Sequence, residues 1–316
     1  MSNKVRLFAI TAVIGAFVLS MLGYTASNNS EYNNLNDYYQ QELSWSTCYD
    51  NFECADLDVP IDYEKISTGT FKISVLRYAA QDPENRIGSL VINPGGPGAS
   101  GVDYAYNAEY IFDPDLTDRF DIVGFDPRGV ARSAPITCFN DAETDANYAS
   151  DSKPDNEQEF AQTLIESKKF IQQCEKKNKH LTSFSTANAA RDMDILRAAL
   201  GEDKLNYVGK SYGTYLGTLY AEIFPANVGR FVLDGAVDPN IPMKDQNLAQ
   251  AMGFDGALAA FVNDCLTQSN CPFNGTSAQA QATIIATLQA AALWMGLGLI
   301  IYFTYSRRNS HLHPKK

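Results

Sequence analysis

Ser211 stands in the stretch YVGKSYGTYLG at 207–217, between Gly209 and Gly213. A serine hydroxyl becomes a useful nucleophile when it is held clear of its neighbours and paired with a base, and Gly-x-Ser-x-Gly spacing supplies the first condition. The turn is so tight that Cβ atoms at the flanking positions would clash, and the serine takes strained dihedrals that push its hydroxyl into open space. The flanks fit, with an apolar run before the serine and a helical pattern after it. A second glycine-rich stretch, LVINPGGPGASG at 90–101, also follows an apolar run. Gly95, Gly96 and Gly98 let its backbone approach a substrate oxygen, so this loop is expected to give one N–H to an oxyanion. Tyr212, directly after the serine, gives the other. A phosphate loop is the competing reading, but no GK[ST] closes the segment. A third stretch, FDIVGFDPRGVARSAP at 120–135, opens a turn holding Asp126 and Arg128. Such a turn reads as a structural tie made of charge-assisted hydrogen bonds.

A serine of this kind needs a histidine base and an acid to orient it, in the chain order serine, acid, histidine. The chain has three histidines. His180 precedes the serine in the Lys-rich stretch CEKKNKHLTSF and reads as a solvated imidazole. His311 and His313 lie in a short basic tail with nothing to fix them. Asp234 and Asp238 could orient an imidazole in principle, but with none nearby they read as structural. No residue is therefore assigned as triad acid or triad histidine.

The elements that position these groups are short and regular. Candidate strands run over 57–63, 71–77, 89–93, 120–125, 205–208 and 230–233, short, β-branched-rich and increasingly apolar on both faces, as buried parallel strands are. TANAARDMDILRAALG reads as a helix with Thr186 as N-cap and Gly201 as stop, with Met193, Leu196 and Leu200 along one side. Another helix begins after Ser211 and ends before Pro225. Strands alternating with helices define an α/β fold with a doubly wound, mostly parallel sheet. Beyond Asp238 the pattern changes to Ala-rich helices.

Cys48 and Cys54 ahead of LDVPIDY, then NPGGPGASG, FDIVGFDPRG, ARDMDILRAALGE, YVGKSYGTYLG and FVLDGAVDP, follow one another in order. Together they resemble the secreted tripeptidyl aminopeptidases of the prolyl iminopeptidase group, within the α/β-hydrolase superfamily. The resemblance runs from Trp45 to Pro272, and departs from the family pattern at Ala131, where glycine is usual. It implies an exopeptidase that removes short peptides from free N-termini, with Ser211 as nucleophile and the backbone N–H groups of Gly96 and Tyr212 as oxyanion donors. It also implies a helical cap after the strand that ends at Leu233, with the triad acid and histidine on strands beyond the cap. On that comparison the chain is expected to lack the last strands of the sheet and to be impaired as an enzyme. The alternatives are a catalytically inactive peptide-binding protein, secreted or membrane-anchored, and an esterase or lipase on the same fold.

The formal net charge of −12 argues against nucleic acid as a partner, since no basic face appears before the last few residues. Lys4 and Arg6 followed by an apolar run and small residues give residues 1–27 the layout of a signal peptide, with an uncleaved anchor as the alternative. A polar linker is expected at 28–44, a hydrolase core at 45–238, a partial cap at 239–290 and an apolar, then basic tail at 291–316. In a chain leaving the cytoplasm, six cysteines read as disulfides. Cys48 with Cys54, Cys138 with Cys174 and Cys265 with Cys271 are the expected pairs. The two short loops favour local pairing, though sequence alone leaves the connectivity open. Neither a metal nor a cofactor is implied, because no pair has zinc spacing and histidine is scarce. Asn28 with Ser30 and Asn274 with Thr276 form sequons, relevant only in a eukaryotic secretory route. The uncharged segment 284–305, beginning at Ile284 and ending at Tyr305, reads as a membrane span with a basic flank, a buried cap helix, or an aberrant gene-model end. The expected location is secreted or extracytoplasmic, with membrane anchoring as a variant of it.

Overall fold

The computed structural model describes residues 32–150 and 154–301. The signal segment 1–27, the sequon at Asn28, Tyr302, Tyr305, His311 and His313 lie outside them. The chain divides after Asp238 into two compact units.

In the first unit, apolar runs with alternating sides become a seven-stranded mixed sheet of order β1-β2-β3-β5-β4-β6-β7. The strands are β1 (Ser46–Cys48), β2 (Phe52–Pro60), β3 (Thr70–Tyr78), β4 (Gly88–Asn93), β5 (Phe120–Phe125), β6 (Leu205–Lys210) and β7 (Val228–Asp234). Pairings among β4, β5, β6 and β7 are parallel. Those joining β1 to β2, β2 to β3 and β3 to β5 are antiparallel, which corrects the expectation of parallel strands at the chain's start. The link between β2 and β3 is too short for the crossover a parallel pair requires. Successive side chains point to opposite faces, so Val91, Val123, Phe125 and Tyr207 enter one buried cluster while Leu90, Ile92, Ile122 and Val208 enter another. Each fully buried aliphatic or aromatic side chain of this kind contributes about 1.5–3 kcal/mol relative to exposure.

Helices cover both faces. On the first lie α1 (Leu35–Tyr39), α7 (Thr186–Ala199) and α8 (Tyr212–Ile223). On the second lies α2 (Gly101–Tyr106), followed by α3 (Ala108–Ile111) and α4 (Pro114–Thr117). The segment expected as a linker thus belongs to the core from Tyr32 on: Tyr38 is buried, and the Gln41 side chain bonds the Asp58 backbone in both directions. Its tyrosines carry enough apolar ring to be buried despite the polar composition around them. The cap of α7 is Ser185, whose hydroxyl accepts from Asn188 N–H. Thr186, read as the cap, instead shares a 2.8 Å hydrogen bond with the Tyr212 hydroxyl.

Between β5 and α7 the structure adds α5 (Asp141–Tyr148) and α6 (Glu157–Lys177), which sequence reading passed over. α6 has no buried residue, and Phe160, Leu164 and Ile171 are exposed. Cys174 on α6 is bonded to Cys138. Cys48 is bonded to Cys54 across the β1–β2 hairpin. At the β7 edge, which has no neighbouring strand among the described residues, Val232 and Leu233 are 57% and 38% exposed.

The second unit consists of α9 (Met243–Thr267) and α10 (Ser277–Ile301), with a disulfide between Cys265 and Cys271. α10 continues through residue 291, where the sequence reading placed a boundary. Among the described residues no helix is long and apolar enough to cross a membrane.

Candidate active site

β6 ends at Lys210 and α8 begins at Tyr212, so Ser211 alone makes the turn between them. It does so at φ 53° and ψ −120°, a conformation an L-residue keeps only when its surroundings enforce it. Four contacts enforce it. Ser211 N–H donates to the Asp234 carbonyl at the end of β7 (2.8 Å). The Ser211 carbonyl accepts from Thr214 N–H (2.9 Å) and from the Thr214 hydroxyl (2.7 Å), and Thr214 Oγ1 in turn accepts from Val237 N–H. The buried Tyr207 phenol donates to the Gly213 carbonyl (2.8 Å). Finally, β6 and α8 meet backbone to backbone: a Cβ on Gly209 would fall 2.4 Å from the Gly213 carbonyl oxygen. Ser211 is exposed, and among the described residues its hydroxyl has no hydrogen-bond partner.

The glycine loop lies directly against this turn. A Cβ on Gly95 would stand 2.4 Å from Lys210 O and 3.1 Å from both Ser211 Cβ and Tyr212 N. Asn93 Oδ1 accepts from Gly95 N–H at 2.9 Å and fixes the start of the loop. Tyr212 is the first residue of α8, so its N–H has no partner inside the helix. Gly96 N–H has no acceptor among the described residues. A developing negative charge on a carbonyl oxygen beside Ser211 is the species such free N–H groups stabilise.

Lys210 is half-exposed next to the serine. Its ammonium lies 3.9 Å from an Asp234 carboxylate oxygen and 5.9 Å from the Tyr104 ring centre. Hydrogen bonding and charge at Tyr104, with a smaller contribution from Asp234, hold it above its ordinary pKa, so it stays cationic. The Tyr212 phenol is pushed up chiefly by burial.

Asp126 and Arg128 lie outside the reacting centre and are both buried. The Asp126 carboxylate accepts from the Ser100 hydroxyl, Val102 N–H (3.2 Å), Arg132 N–H (3.1 Å) and the Arg132 guanidinium (3.3 Å). Arg128 makes a two-pronged pair with Asp192, one arm at 2.7 Å, and donates to the carbonyls of Pro60, Ile61 and Ser183. All five of its N–H groups are satisfied. Burial works against the Arg128 charge, but Asp192 outweighs it and the guanidinium is held above its usual pKa.

His180 is exposed, at φ 62° before the 3-10 turn Leu181–Ser183, and makes no hydrogen bond with Ser211. Asp234 meets Ser211 through its backbone and Lys210 through its carboxylate. Sequence reading missed Tyr207 and Thr214, which lock the turn, and Asp192 and Asp194, buried on α7. A cue was available for the acids: two carboxylates on a helix whose other residues are largely apolar demand partners. Among the described residues no group of three or more His, Cys, Asp or Glu could hold a metal ion.

Residues 88–281 match the family described as alpha/beta hydrolase fold. The chain is 37% identical over 287 residues to the serine protease Hip1 of Mycobacterium tuberculosis, covering 87% of this chain and 55% of that protein. It is 36% identical over 230 residues to a tripeptidyl aminopeptidase of Streptomyces lividans, covering 68% and 42%. To a carboxylesterase B of Mycobacterium tuberculosis it is 40% identical over 253 residues, covering 75% and 48%. The chain spans about half the length of the curated relatives it matches.

Proposed function

The chain belongs to the alpha/beta hydrolase fold family, and from that premise we propose that it is a serine hydrolase that releases short peptides from free N-termini. The observation that carries the reading is Ser211 itself: an exposed hydroxyl, free of described partners, on a strained turn pressed against the Gly95 loop. In the proposed reaction Ser211 Oγ adds to the scissile carbonyl as its proton passes to a general base. The N–H groups of Gly96 and Tyr212 hold the oxyanion. Collapse then expels the amine, which takes that proton back from the base, and leaves an acyl-enzyme that water hydrolyses. The reading assigns neither base nor acid to a described residue. Peptide specificity is supported by the names of the relatives related to Hip1 and to the tripeptidyl aminopeptidase.

A fluorophosphonate probe tests it. Ser211 is expected to be the labelled residue by peptide mass spectrometry, and Ser211→Ala to lower turnover of a tripeptidyl amide by about 10³-fold or more. Absence of labelling in this chain, with retained peptide binding by calorimetry, would overturn the enzyme in favour of an inactive peptide-binding protein. An esterase is the second reading, favoured by the carboxylesterase B relative; faster turnover of a p-nitrophenyl ester than of any peptide amide would select it. The three disulfides support a location outside the cytoplasm. Fractionation with and without carbonate extraction distinguishes secretion from anchoring through the segment 284–305.

A further inference from the structure

The loop that carries Gly96 N–H spans residues 94–99, from the end of β4 to the N-cap of α2 at Ser100. Its upstream end is fixed by Asn93 and by contact with the Ser211 turn. Its downstream end rests on Ser100, whose hydroxyl is fully committed. It donates to Asp126 Oδ1 and accepts from Asp103 N–H (3.0 Å) and from the Arg132 guanidinium (3.3 Å). One donor and two acceptor positions are all a serine hydroxyl has. The carboxylate that receives it has no freedom either. Asp126 is fully buried, its Oδ1 also takes Val102 N–H, and its Oδ2 takes two groups of Arg132, whose other arm reaches Asp103 at 2.8 Å.

Nothing soft lies between this network and the sheet. Asp126 N–H donates to the Ser74 carbonyl on β3, and α2 meets β5 backbone to backbone, with a Cβ on Gly101 falling 2.1 Å from Phe125 O. The sheet therefore sets the position of the loop's downstream end through the Asp126 carboxylate and Ser100 hydroxyl, beside the backbone contact at Gly101.

We infer that Asp126 and Ser100 are positioning residues for the oxyanion donor at Gly96, acting through the loop and touching no substrate. The inference rests on the serine-hydrolase reading for its chemistry. An N–H that stabilises an oxyanion works only when aimed at where that oxygen will be, and a displacement on the order of 1 Å costs about 100-fold in rate.

The test uses the full chain with Ser100→Ala and Ser100→Thr, both gentler than replacing the buried Asp126. Two quantities are read: hydrogen exchange at the hydrogen-bonded loop amides of Gly95 and Ala99, and the rate of fluorophosphonate labelling. In Ser100→Ala the amides of Gly95 and Ala99, bonded to Asn93 Oδ1 and to Gly95 O, are expected to exchange at least about tenfold faster while those of β6 stay protected. Labelling is expected to slow by about 10- to 100-fold, with KM for a peptide amide unchanged within about twofold. Ser100→Thr, which keeps a hydroxyl, is expected to restore both. Unchanged loop exchange in Ser100→Ala overturns the inference, as does labelling at the unsubstituted rate despite a loosened loop. If the unsubstituted chain is not labelled, the serine-hydrolase reading fails, and the exchange measurement still decides whether Ser100 positions the loop.

Discussion

Asp126 and Arg128 are two residues apart in one turn, yet they face different parts of the molecule. The acceptor positions of Asp126 are filled by groups at 100, 102 and 132, around the start of α2 and the glycine loop. The five donors of Arg128 are filled by Pro60, Ile61, Ser183 and Asp192, none of them near the serine turn in sequence. One charge aims a loop; the other joins the end of β2, the entry to α7 and α7 itself. Adjacency in a motif is thus no guide to shared purpose, and the two halves of the turn are separable by substitution.

The largest expected effect comes from the frame. Arg128 and Asp192 are each 1% exposed, so Arg128→Met leaves a buried carboxylate unpaired and is expected to cost about 3–5 kcal/mol in urea unfolding. Arg128→Lys recovers little of it, since an ammonium cannot reach five acceptors held in a plane. The comparison breaks if Arg128→Met keeps its stability but loses Ser211 labelling, because the two ends of the turn would then share one task.

A smaller effect is expected at the serine turn. Gly209→Ala puts a methyl carbon 2.4 Å from the Gly213 carbonyl, where backbone on both sides must move. A cost of about 1–3 kcal/mol is expected, together with loss of fluorophosphonate labelling. Retention of labelling with an unchanged melting temperature would show that the turn tolerates what its geometry forbids.

The smallest lies in a second buried acid. Asp194 accepts hydrogen bonds from the phenols of Tyr39 and Tyr220, from Asn227 and from Arg197. Burial raises its pKa, but the bonds from Arg197, Asn227 and Tyr220 outweigh this and hold it below the usual 3.8. A depressed carboxyl contributes its stability above the unfolded value, and loses it as pH falls through the folded one. Asp194→Asn is therefore expected to cost about 1–2 kcal/mol at neutral pH. The gap from the unsubstituted chain should narrow as pH drops below 3.8. A gap that is constant down to acid denaturation would place the effect in packing rather than charge.

Sequence alone made the parallel half of the fold and the serine turn legible, because both depend on short-range rules. The short continuous apolar runs of β4, β5 and β6 and the glycines about Ser211 are local features of the chain. Strand direction was not legible at the N-terminal side, where it follows from how few residues join β2 to β3. β1 is three residues long, too short for any period to show. α6 was passed over although Phe160, Leu164, Ile171 and Cys174 recur along it at helical spacing, a stripe the sequence did carry. Asp192 was passed over because its partner Arg128 lies 64 residues away in sequence, where no local pattern joins the two.

Arg128 also bears on how the molecule comes apart. Its partners stand 55 to 68 residues from it in sequence, on segments that also meet through Tyr63 and Asp192 and through Phe71 and Phe184. A planar group with five fixed donors is content only when every one of those segments has docked, and partial assembly leaves it buried and short of acceptors. It thereby links the fates of distant stretches of chain and raises the cooperativity of the first unit, so that loosening any one of them withdraws support from all the rest.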